Sequence, residues 1–321
     1  MNLIATERKS RVLSRAEFGC LRGAYTINVT RGCEFDCVYC YARGYPEAPA
    51  AGEVHLYRNL PEKLAAELDN PRRRTPVRRV IFNTASDSFQ THPDILDVTY
   101  RAMRVLLERR IGVSFLTKGA IPPRFIELFT KNPELVSARI GLVSIEPRFR
   151  DVFEPHAATA AARLENIENL SAAGVEVEMR VDPIIPFRSD DPSSIRSLFR
   201  ALSERGVLRV TLSYLHLRPA IFEQLQHELP PREFDLLRTC FATRPWSTVG
   251  TSSRSKLVPP VLRQKGYRRF IEVAGEYGIT ALICACKNPD LPGQLCSRSL
   301  LEADPLGKAG SQPRQLSLFP C

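Results

Sequence analysis

The chain has 321 residues, of which 44% are hydrophobic and 25% are charged, a balance typical of a globular protein with a buried core. No stretch approaches the roughly 18 consecutive apolar residues of a membrane span, and the first residues lack the pattern of a signal peptide, so we expect a cytoplasmic protein with no membrane contact. A formal net charge of +10 favours a polyanionic partner, of which nucleic acid is the leading example.

Strand-like and helix-like segments alternate along the chain. Strands are predicted at residues 24–30, 78–84, 112–117, 138–145, 175–184 and 208–215. Helices are predicted between them, at residues 59–69, 94–110, 123–131, 158–174 and 192–206. These βα-type repeats predict an α/β fold in which a parallel sheet curls into a partial (β/α)6 TIM-like barrel. The chemistry of such a sheet is located at the C-terminal ends of its strands.

Changes in composition divide the chain into four segments. We predict an N-terminal segment (1–23), the partial barrel (24–218), a mainly helical C-terminal extension with a candidate second metal site (219–300), and a tail (301–321). The tail is rich in Gly, Pro, Ser, Gln and Lys, which predicts that it is flexible.

Three cysteines follow the first predicted strand in the stretch "TRGCEFDCVYCYAR". Cys33, Cys37 and Cys40 have the spacing C-x3-C-x2-C. A structural zinc site and a 4Fe–4S cube both take four ligands, so three cysteines leave one metal corner open. In a barrel the natural ligand for an open iron is S-adenosylmethionine, whose reductive cleavage releases a 5′-deoxyadenosyl radical. The alternative is a zinc knuckle with a distant fourth ligand.

The same stretch resembles the signature of the radical S-adenosylmethionine (radical SAM) superfamily. Further motifs resemble spore photoproduct lyase and its relatives, which use the radical to reverse a thymine–thymine photolesion in DNA. The similar segments run from about residue 25 to 218. They are "CVYCYA" (37–42), "NTASDSF" (83–89), "FLTKG" (115–119), "VSIEPRFRDVFEPHAATAAARL" (143–164) and "VDPIIP" (181–186).

This resemblance implies roles for individual residues. Ser86, Lys118 and Ser144 would contact S-adenosylmethionine, and Asp87, next to Ser86, is a further candidate. It also implies damaged DNA as the substrate and an electron donor such as flavodoxin or ferredoxin.

One position departs from the family pattern. The hydrogen-donor cysteine of the family would fall two residues before Ser86, where this chain has Thr84. A threonine hydroxyl is a poor hydrogen-atom donor compared with a thiol. Tyr39 and Tyr41 match the tyrosine relay of the family and could take over the donation, and Cys240 is another candidate donor.

Other polar residues near the strand ends are candidates for substrate contact. Arg180 and Asp182 are two apart on the fifth predicted strand and share a face, so they would form an ion pair lining the site or a structural pair in the barrel. Three residues at alternate positions at the end of the sixth strand also share a face: Tyr214, His216 and Arg218. The histidine could position an extruded lesion.

The loop 243–256 combines hydroxyl groups, arginines and the single tryptophan of the chain, Trp246. Hydroxyls and arginines suit phosphate contacts, and the indole could stack on a base. The alternative for Trp246 is packing in the core.

A second group of cysteines lies in "ICACKNPDLPGQLC". Cys284, Cys286 and Cys296 lie in a Pro- and Gly-containing loop, and Cys240 could complete a set of four. We predict a second iron–sulfur cluster, with zinc as the next option. The alternative is that these thiols bind no metal. Cys20 and Cys321 have no assigned role.

The chain ends in "SQPRQLSLFPC", of which Gln315–Phe319 resembles the pentapeptide that binds the bacterial sliding clamp. Leu316, Leu318 and Phe319 would fill a hydrophobic pocket of the partner, and Gln315 would supply a polar anchor. The alternative is a chance match of five residues.

Taken together, these features predict a radical enzyme that reverses a covalent DNA lesion. Two alternatives remain open: a radical SAM enzyme that modifies RNA or a protein, and a non-catalytic iron–sulfur module that binds DNA.

Overall fold

The centre of the molecule is an eight-stranded, mostly parallel sheet. It is seen in a computed structural model that describes residues 1–17, 19–249 and 254–293. In spatial order the strands are β14 (Thr280–Ile283), β10 (Arg209–Tyr214), β9 (Glu176–Ile184), β8 (Val136–Gly141), β7 (Gly112–Thr117), β6 (Arg79–Phe82), β3 (Tyr25–Ile27) and β2 (Ser14–Arg15). All neighbours pair in parallel except β2 and β3, which are antiparallel.

Nine helices of the described chain accompany the sheet. They are α1 (Leu60–Leu68), α2 (Pro93–Glu108), α3 (Pro123–Thr130), α4 (Pro147–Phe153), α5 (Ala160–Ala172), α6 (Pro192–Ser203), α7 (Pro219–Glu228), α8 (Pro231–Phe241) and α9 (Pro260–Glu276). The result is the predicted α/β architecture, a partial barrel followed by a mainly helical extension.

The sequence explains why these elements form. All six residues of β8 are buried, as expected for a parallel strand that is covered on both faces. Helix α6 begins after Asp191, whose carboxylate accepts hydrogen bonds from two N–H groups of the first turn. Its residues Ile195, Leu198 and Leu202 share the buried face. Gly206, just after this helix, has a φ of +68°, a conformation that is common where a helix ends and that glycine adopts without strain.

Two small sheets flank the central one. β1 (Asn2–Thr6), β5 (Glu53–Tyr57) and β4 (Thr30–Arg31) form the first, in the order β1-β5-β4. β11 (His216–Leu217), β13 (Arg254–Leu257) and β12 (Ser247–Thr248) form the second, in the order β11-β13-β12. The first sheet fixes the start of the cysteine loop, because β4 ends two residues before Cys33.

All six predicted barrel strands are present, and the structure adds a seventh parallel strand. β14 pairs with β10, so the segment after residue 218 contributes to the central sheet. The division of the chain into four segments stays a prediction. Among the described helices, none has the length and apolar character required to cross a bilayer.

Candidate active site

A cavity of about 660 Å³ opens at the C-terminal ends of the central strands. Thr84 follows β6, Lys118 follows β7, and Asp182 lies near the end of β9, and all three line this cavity. The volume lies within the range of about 300–1,000 Å³ typical of small-molecule and cofactor sites. The position agrees with the expectation that chemistry sits at this edge of the sheet.

The three cysteines of the first group all line this cavity. Cys33, Cys37 and Cys40 are half-buried, and burial raises the pKa of each thiol. Their loop is held by backbone hydrogen bonds, including one of 2.9 Å from the amide of Cys40 to the carbonyl of Cys37. Three thiol donors presented by one loop to one cavity suit an iron–sulfur cluster that keeps an open iron.

A buried ionic cluster lies directly behind this loop. The phenol of Tyr39 donates a hydrogen bond to the carboxylate of Glu154, and a guanidinium nitrogen of Arg163 lies 2.5 Å from the other carboxylate oxygen. The ammonium of Lys118 is 3.9 Å from Glu154. Burial opposes ionisation of Glu154, but the charges of Arg163 and Lys118 outweigh it and hold its pKa below the ordinary value. The sequence analysis did not single out Glu154 or Arg163, although both lie in the motif at 143–164.

Lys118 is held at the cavity wall by the loop after β7. The carboxylate of Asp87 accepts hydrogen bonds from the Thr117 hydroxyl at 2.7 Å and from the Lys118 amide at 2.8 Å. Gly119 allows this path, because a Cβ there would overlap the carbonyl of Phe89. Asp87 therefore orients the lysine, whose Nζ lies 3.3 Å from the carbonyl of Asp182.

The two predicted serine contacts differ in position. Ser86 lines the cavity, and its hydroxyl donates to the carbonyl of Thr30 at 3.5 Å. Ser144 is buried outside the lining, and its hydroxyl accepts a hydrogen bond of 3.1 Å from the amide of Glu146. Ser144 therefore supports the turn that leads into α4.

Tyr41 connects the cysteine loop with the end of β6. Its phenol donates a hydrogen bond to the carbonyl of Thr84, the position that the family resemblance assigns to the hydrogen donor. The guanidinium of Arg218 lies 5.1 Å from the centre of the Tyr41 ring, within the range of a cation–π contact. All three residues line the cavity.

The predicted pair of Arg180 and Asp182 is an ion pair in the cavity wall. One guanidinium nitrogen lies 2.7 Å from the carboxylate of Asp182. Lys287, which the sequence analysis did not single out, adds contacts of 2.9 Å and 2.7 Å to the two oxygens of the same carboxylate. Burial opposes ionisation of Asp182, but Lys287 and Arg180 hold its pKa below the ordinary value.

The remaining predicted substrate residues fall into two groups. Tyr214 and His216 line the cavity. The phenol of Tyr214 donates to Asp190 at 2.9 Å, and burial together with the charge of Lys287 lowers the pKa of His216 to about 4, so its imidazole is neutral near pH 7. Trp246 is half-buried and lies outside the lining, with the ammonium of Lys256 5.2 Å from its ring centre.

The second cysteine group differs from the prediction in its members. Cys20, Cys284 and Cys286 lie together, with all three sulfurs within 4.8 Å of one another. Cys240 is buried in α8, belongs neither to this group nor to the cavity lining, and so is not brought to either predicted role. Spacing along the chain does not reveal that residue 20 folds back onto residue 286. Cys296 lies outside the described residues.

The predicted clamp peptide, Gln315–Phe319, also lies outside the described residues. Its assignment therefore stays a prediction from the sequence.

Comparison with known proteins gives one family and several relatives. The family model described as the radical SAM superfamily matches residues 27–202. An uncharacterised protein of Mycobacterium tuberculosis is 28% identical over 201 residues, which cover 60% of this chain and 59% of the relative. A protein of Pseudomonas phage M6, described as a radical SAM Nalpha-GlyT isomerase, is 22% identical over 259 residues, which cover 78% of this chain and 51% of that protein. The chain thus spans between about half and three fifths of the length of these two relatives.

Among solved structures, spore photoproduct lyase complexed with a dinucleoside spore photoproduct superposes with a TM-score of 0.68 at 17% identity. The match covers 87% of this chain and 81% of that chain. At this level of identity the likeness shows a shared fold, and it extends beyond the residues matched by the family model.

Proposed function

Because the chain belongs to the radical SAM superfamily, we propose that it is a lyase that reverses a covalent lesion in DNA, of the UV-photoproduct type. Membership makes it a radical SAM enzyme with a 4Fe–4S cluster and S-adenosylmethionine as cofactors. The observation that carries the finer proposal is the contact between Tyr41 and Thr84. It puts a phenol hydroxyl against the position that the family resemblance assigns to the hydrogen donor.

Cys33, Cys37 and Cys40 would hold the cluster, since their thiols line the cavity together. When bound, the cluster and S-adenosylmethionine supply a 5′-deoxyadenosyl radical that abstracts a hydrogen atom from the substrate. Lys118 offers a cation to the carboxylate of that ligand, and Ser86 offers a hydroxyl from the neighbouring strand end.

The two tyrosines have different tasks in this proposal. Tyr39 is buried, and its phenol contacts the buried carboxylate of Glu154, so Tyr39 forms a fixed part of the cavity wall. Tyr41 is the more exposed of the two, and its O–H lies at the cavity edge beside Thr84. A phenol gives up a hydrogen atom more readily than an alcohol does, so we assign the return of a hydrogen atom to Tyr41 and not to Thr84. The phenoxyl radical that this leaves on Tyr41 would be reduced to the phenol by one electron from the flavodoxin or ferredoxin and one proton from solvent.

The charge of the cavity wall supports a nucleic-acid substrate. Arg180 and Lys287 both contact the carboxylate of Asp182 at the cavity wall. Arg218 adds a third cation to the lining of the cavity. Cations in this arrangement suit the phosphates that flank an extruded nucleotide.

The proposal is tested by anaerobic incubation of the reconstituted enzyme with UV-irradiated DNA and S-adenosylmethionine. Dithionite replaces the proposed flavodoxin or ferredoxin as the electron source. We expect one class of photoproduct to disappear while 5′-deoxyadenosine forms, both measured by liquid chromatography and mass spectrometry. The Cys37→Ala variant should leave every photoproduct unchanged and form no 5′-deoxyadenosine. Formation of 5′-deoxyadenosine with every photoproduct unchanged would contradict the proposed substrate.

A second candidate is an isomerase acting on a modified nucleotide. Two observations favour it: Thr84 lacks the thiol that a lyase of this family uses, and the phage relative is described as an isomerase. An isomerisation returns to the substrate the hydrogen atom that was removed, so it needs no donor side chain.

Solvent deuterium separates the two candidates. The phenol proton of Tyr41 exchanges with D2O, so the lyase incorporates deuterium into its product, and the Tyr41→Phe variant loses that label. An isomerase yields unlabelled product in D2O, with or without the substitution.

A further inference from the structure

The cysteine group formed by Cys20, Cys284 and Cys286 has no part in the proposed chemistry. Within residues 1–17, 19–249 and 254–293 it is the one group of three or more metal-ligating side chains whose ligand atoms lie within 4.8 Å of one another. The sulfur of Cys286 lies 3.1 Å from that of Cys284 and 3.6 Å from that of Cys20. The group joins the N-terminal segment to the loop after β14, across 266 residues of sequence.

The three sulfurs are close enough together to bind one ion. The 3.6 Å between Cys286 and Cys20 is near the spacing expected at a zinc ion, and the 3.1 Å between Cys284 and Cys286 is shorter than that spacing. Thiolates bound tetrahedrally to one zinc at Zn–S distances of about 2.3 Å stand about 3.8 Å apart. An iron–sulfur cube attaches each thiolate to a different iron, so its ligand sulfurs stand further apart. The thiols of Cys33, Cys37 and Cys40 fit that second description, because they do not form a group within 4.8 Å although all three are described.

The surroundings hold Cys284 in place. The backbone amide of Cys284 donates to the carbonyl of Leu212 on β10 at 3.2 Å. The side-chain amide of Asn288 donates to the carbonyl of Cys284 at 2.9 Å. Asn288 is itself buried, and its oxygen accepts hydrogen bonds from Arg263 at 2.9 Å and Tyr267 at 3.0 Å. Such outer contacts are typical of a built metal site.

The third ligand comes from the short helical turn Gly19–Leu21. Gly19 has a φ of +50°, and a Cβ at this residue would lie 3.5 Å from the sulfur of Cys286. The turn therefore packs closely against the loop after β14 and presents Cys20 to Cys286.

We propose that Cys20, Cys284 and Cys286 bind one zinc ion in tetrahedral coordination, with a water molecule as the fourth ligand, at a site separate from the first cysteine group. Binding replaces the thiol protons, which are released to solvent, and it involves no change of oxidation state. The sequence predicts a second iron–sulfur cluster, with zinc as the next option, and the proposal favours zinc. The inference does not depend on the proposed substrate.

The zinc would fix one wall of the cavity. Cys20 and Cys286 line the same cavity as the first cysteine group. Lys287 follows Cys286 directly, and its ammonium contacts both oxygens of Asp182. Clamping Cys286 to Cys20 therefore sets the position of the cation that faces the proposed substrate.

The test measures metal content in the full-length protein, purified without a metal-affinity tag and without chelators. We expect one zinc per chain by mass spectrometry of the metals, in addition to the iron of the first cluster. X-ray absorption at the zinc edge should give a shell of sulfur atoms at about 2.3 Å. Because this spectrum sees only zinc, it is recorded on the wild-type holoenzyme.

Variants identify the ligands. Cys284→Ser and Cys20→Ser should lose most of the zinc and keep the iron, whereas Cys240→Ser should keep both metals. A Cys33→Ser variant should lose iron and keep zinc. Three results would each overturn the proposal. The first is a wild-type protein without zinc, and the second is zinc at wild-type level in both Cys284→Ser and Cys20→Ser. The third is a Cys33→Ser variant that retains iron and sulfide and contains no zinc.

Discussion

Glu154→Gln is the substitution that isolates the buried ionic cluster behind the cysteine loop. Glutamine has nearly the same shape as glutamate, so the change removes one negative charge and leaves no cavity. Glu154 and Arg163 are each only 1% exposed. In the variant, the guanidinium of Arg163 stays in the interior without its counter-charge.

The expected cost follows from this burial. Removing one partner of a buried ion pair typically costs about 3–5 kcal/mol. Arg163 keeps two hydrogen bonds, to the carbonyls of Gly141 at 2.8 Å and Ala158 at 2.9 Å, which places the expected loss at the lower end, about 3 kcal/mol. An unfolding entropy of about 2.1 cal/mol/K per residue gives about 0.67 kcal/mol/K for 321 residues. Each kcal/mol then lowers the melting temperature by about 1.5 °C, so we expect a decrease of about 4–5 °C.

The measurement is thermal unfolding of identically prepared wild-type and variant protein, without added cofactor. The matched control is Glu62→Gln, because Glu62 pairs with Arg101 at the surface, where the two side chains are 58% and 38% exposed. A surface pair contributes at most about 1 kcal/mol, so the control should melt within about 1.5 °C of the wild type.

The stability difference between wild type and Glu154→Gln should depend on pH. Since the pKa of Glu154 is lowered on folding, its ionised form stabilises the folded state above the ordinary carboxyl pKa of 4.5. That contribution is lost as the pH falls through the folded-state pKa, so the difference between wild type and Glu154→Gln should shrink in acid. Equal melting temperatures of wild type and Glu154→Gln at pH 7 would refute the reasoning.

Three further predictions concern packing, capping and catalysis. Gly266→Ala should destabilise α9 by about 1–3 kcal/mol, although alanine favours helices, because the new Cβ would overlap the hydroxyl of Tyr214; a raised melting temperature would contradict this. Asp191→Ala should cost about 1 kcal/mol at pH 7, measured by urea unfolding. Burial opposes ionisation of Asp191, but hydrogen bonds from the first turn of α6 lower its pKa, so this cost should fall as the pH drops below the ordinary value of 3.8. Thr84→Cys should raise the yield of repaired product per 5′-deoxyadenosine, since it adds a thiol beside Tyr41; an unchanged ratio would show that the missing thiol does not limit the reaction.

Hydropathy patterns were sufficient to predict the barrel. The six predicted strands are continuous apolar or alternating runs. β14 was missed because it is four residues long and follows a basic helix, so nothing local distinguishes it from a loop. Its strand character comes from pairing with β10, which is a tertiary effect.

Site residues were predictable where residues with related chemistry lie close together in the sequence. The first cysteine group and the pair of Arg180 and Asp182 were found in this way, and the structure brings each set to the cavity. Lys287 and Cys20 were missed because their partners lie 105 and 266 residues away, respectively. Contacts between residues this far apart cannot be inferred from spacing along the sequence.

The central claim is that three thiolates hold an iron–sulfur cube whose fourth iron is open to S-adenosylmethionine. The most direct measurement is electron–nuclear double resonance on the reduced, oxygen-free protein with S-adenosylmethionine labelled with 15N at its amino group. Our account predicts a 15N coupling to the cluster that is lost when Cys33, Cys37 or Cys40 is replaced by alanine. A cluster signal that does not change on adding S-adenosylmethionine and shows no 15N coupling would contradict it.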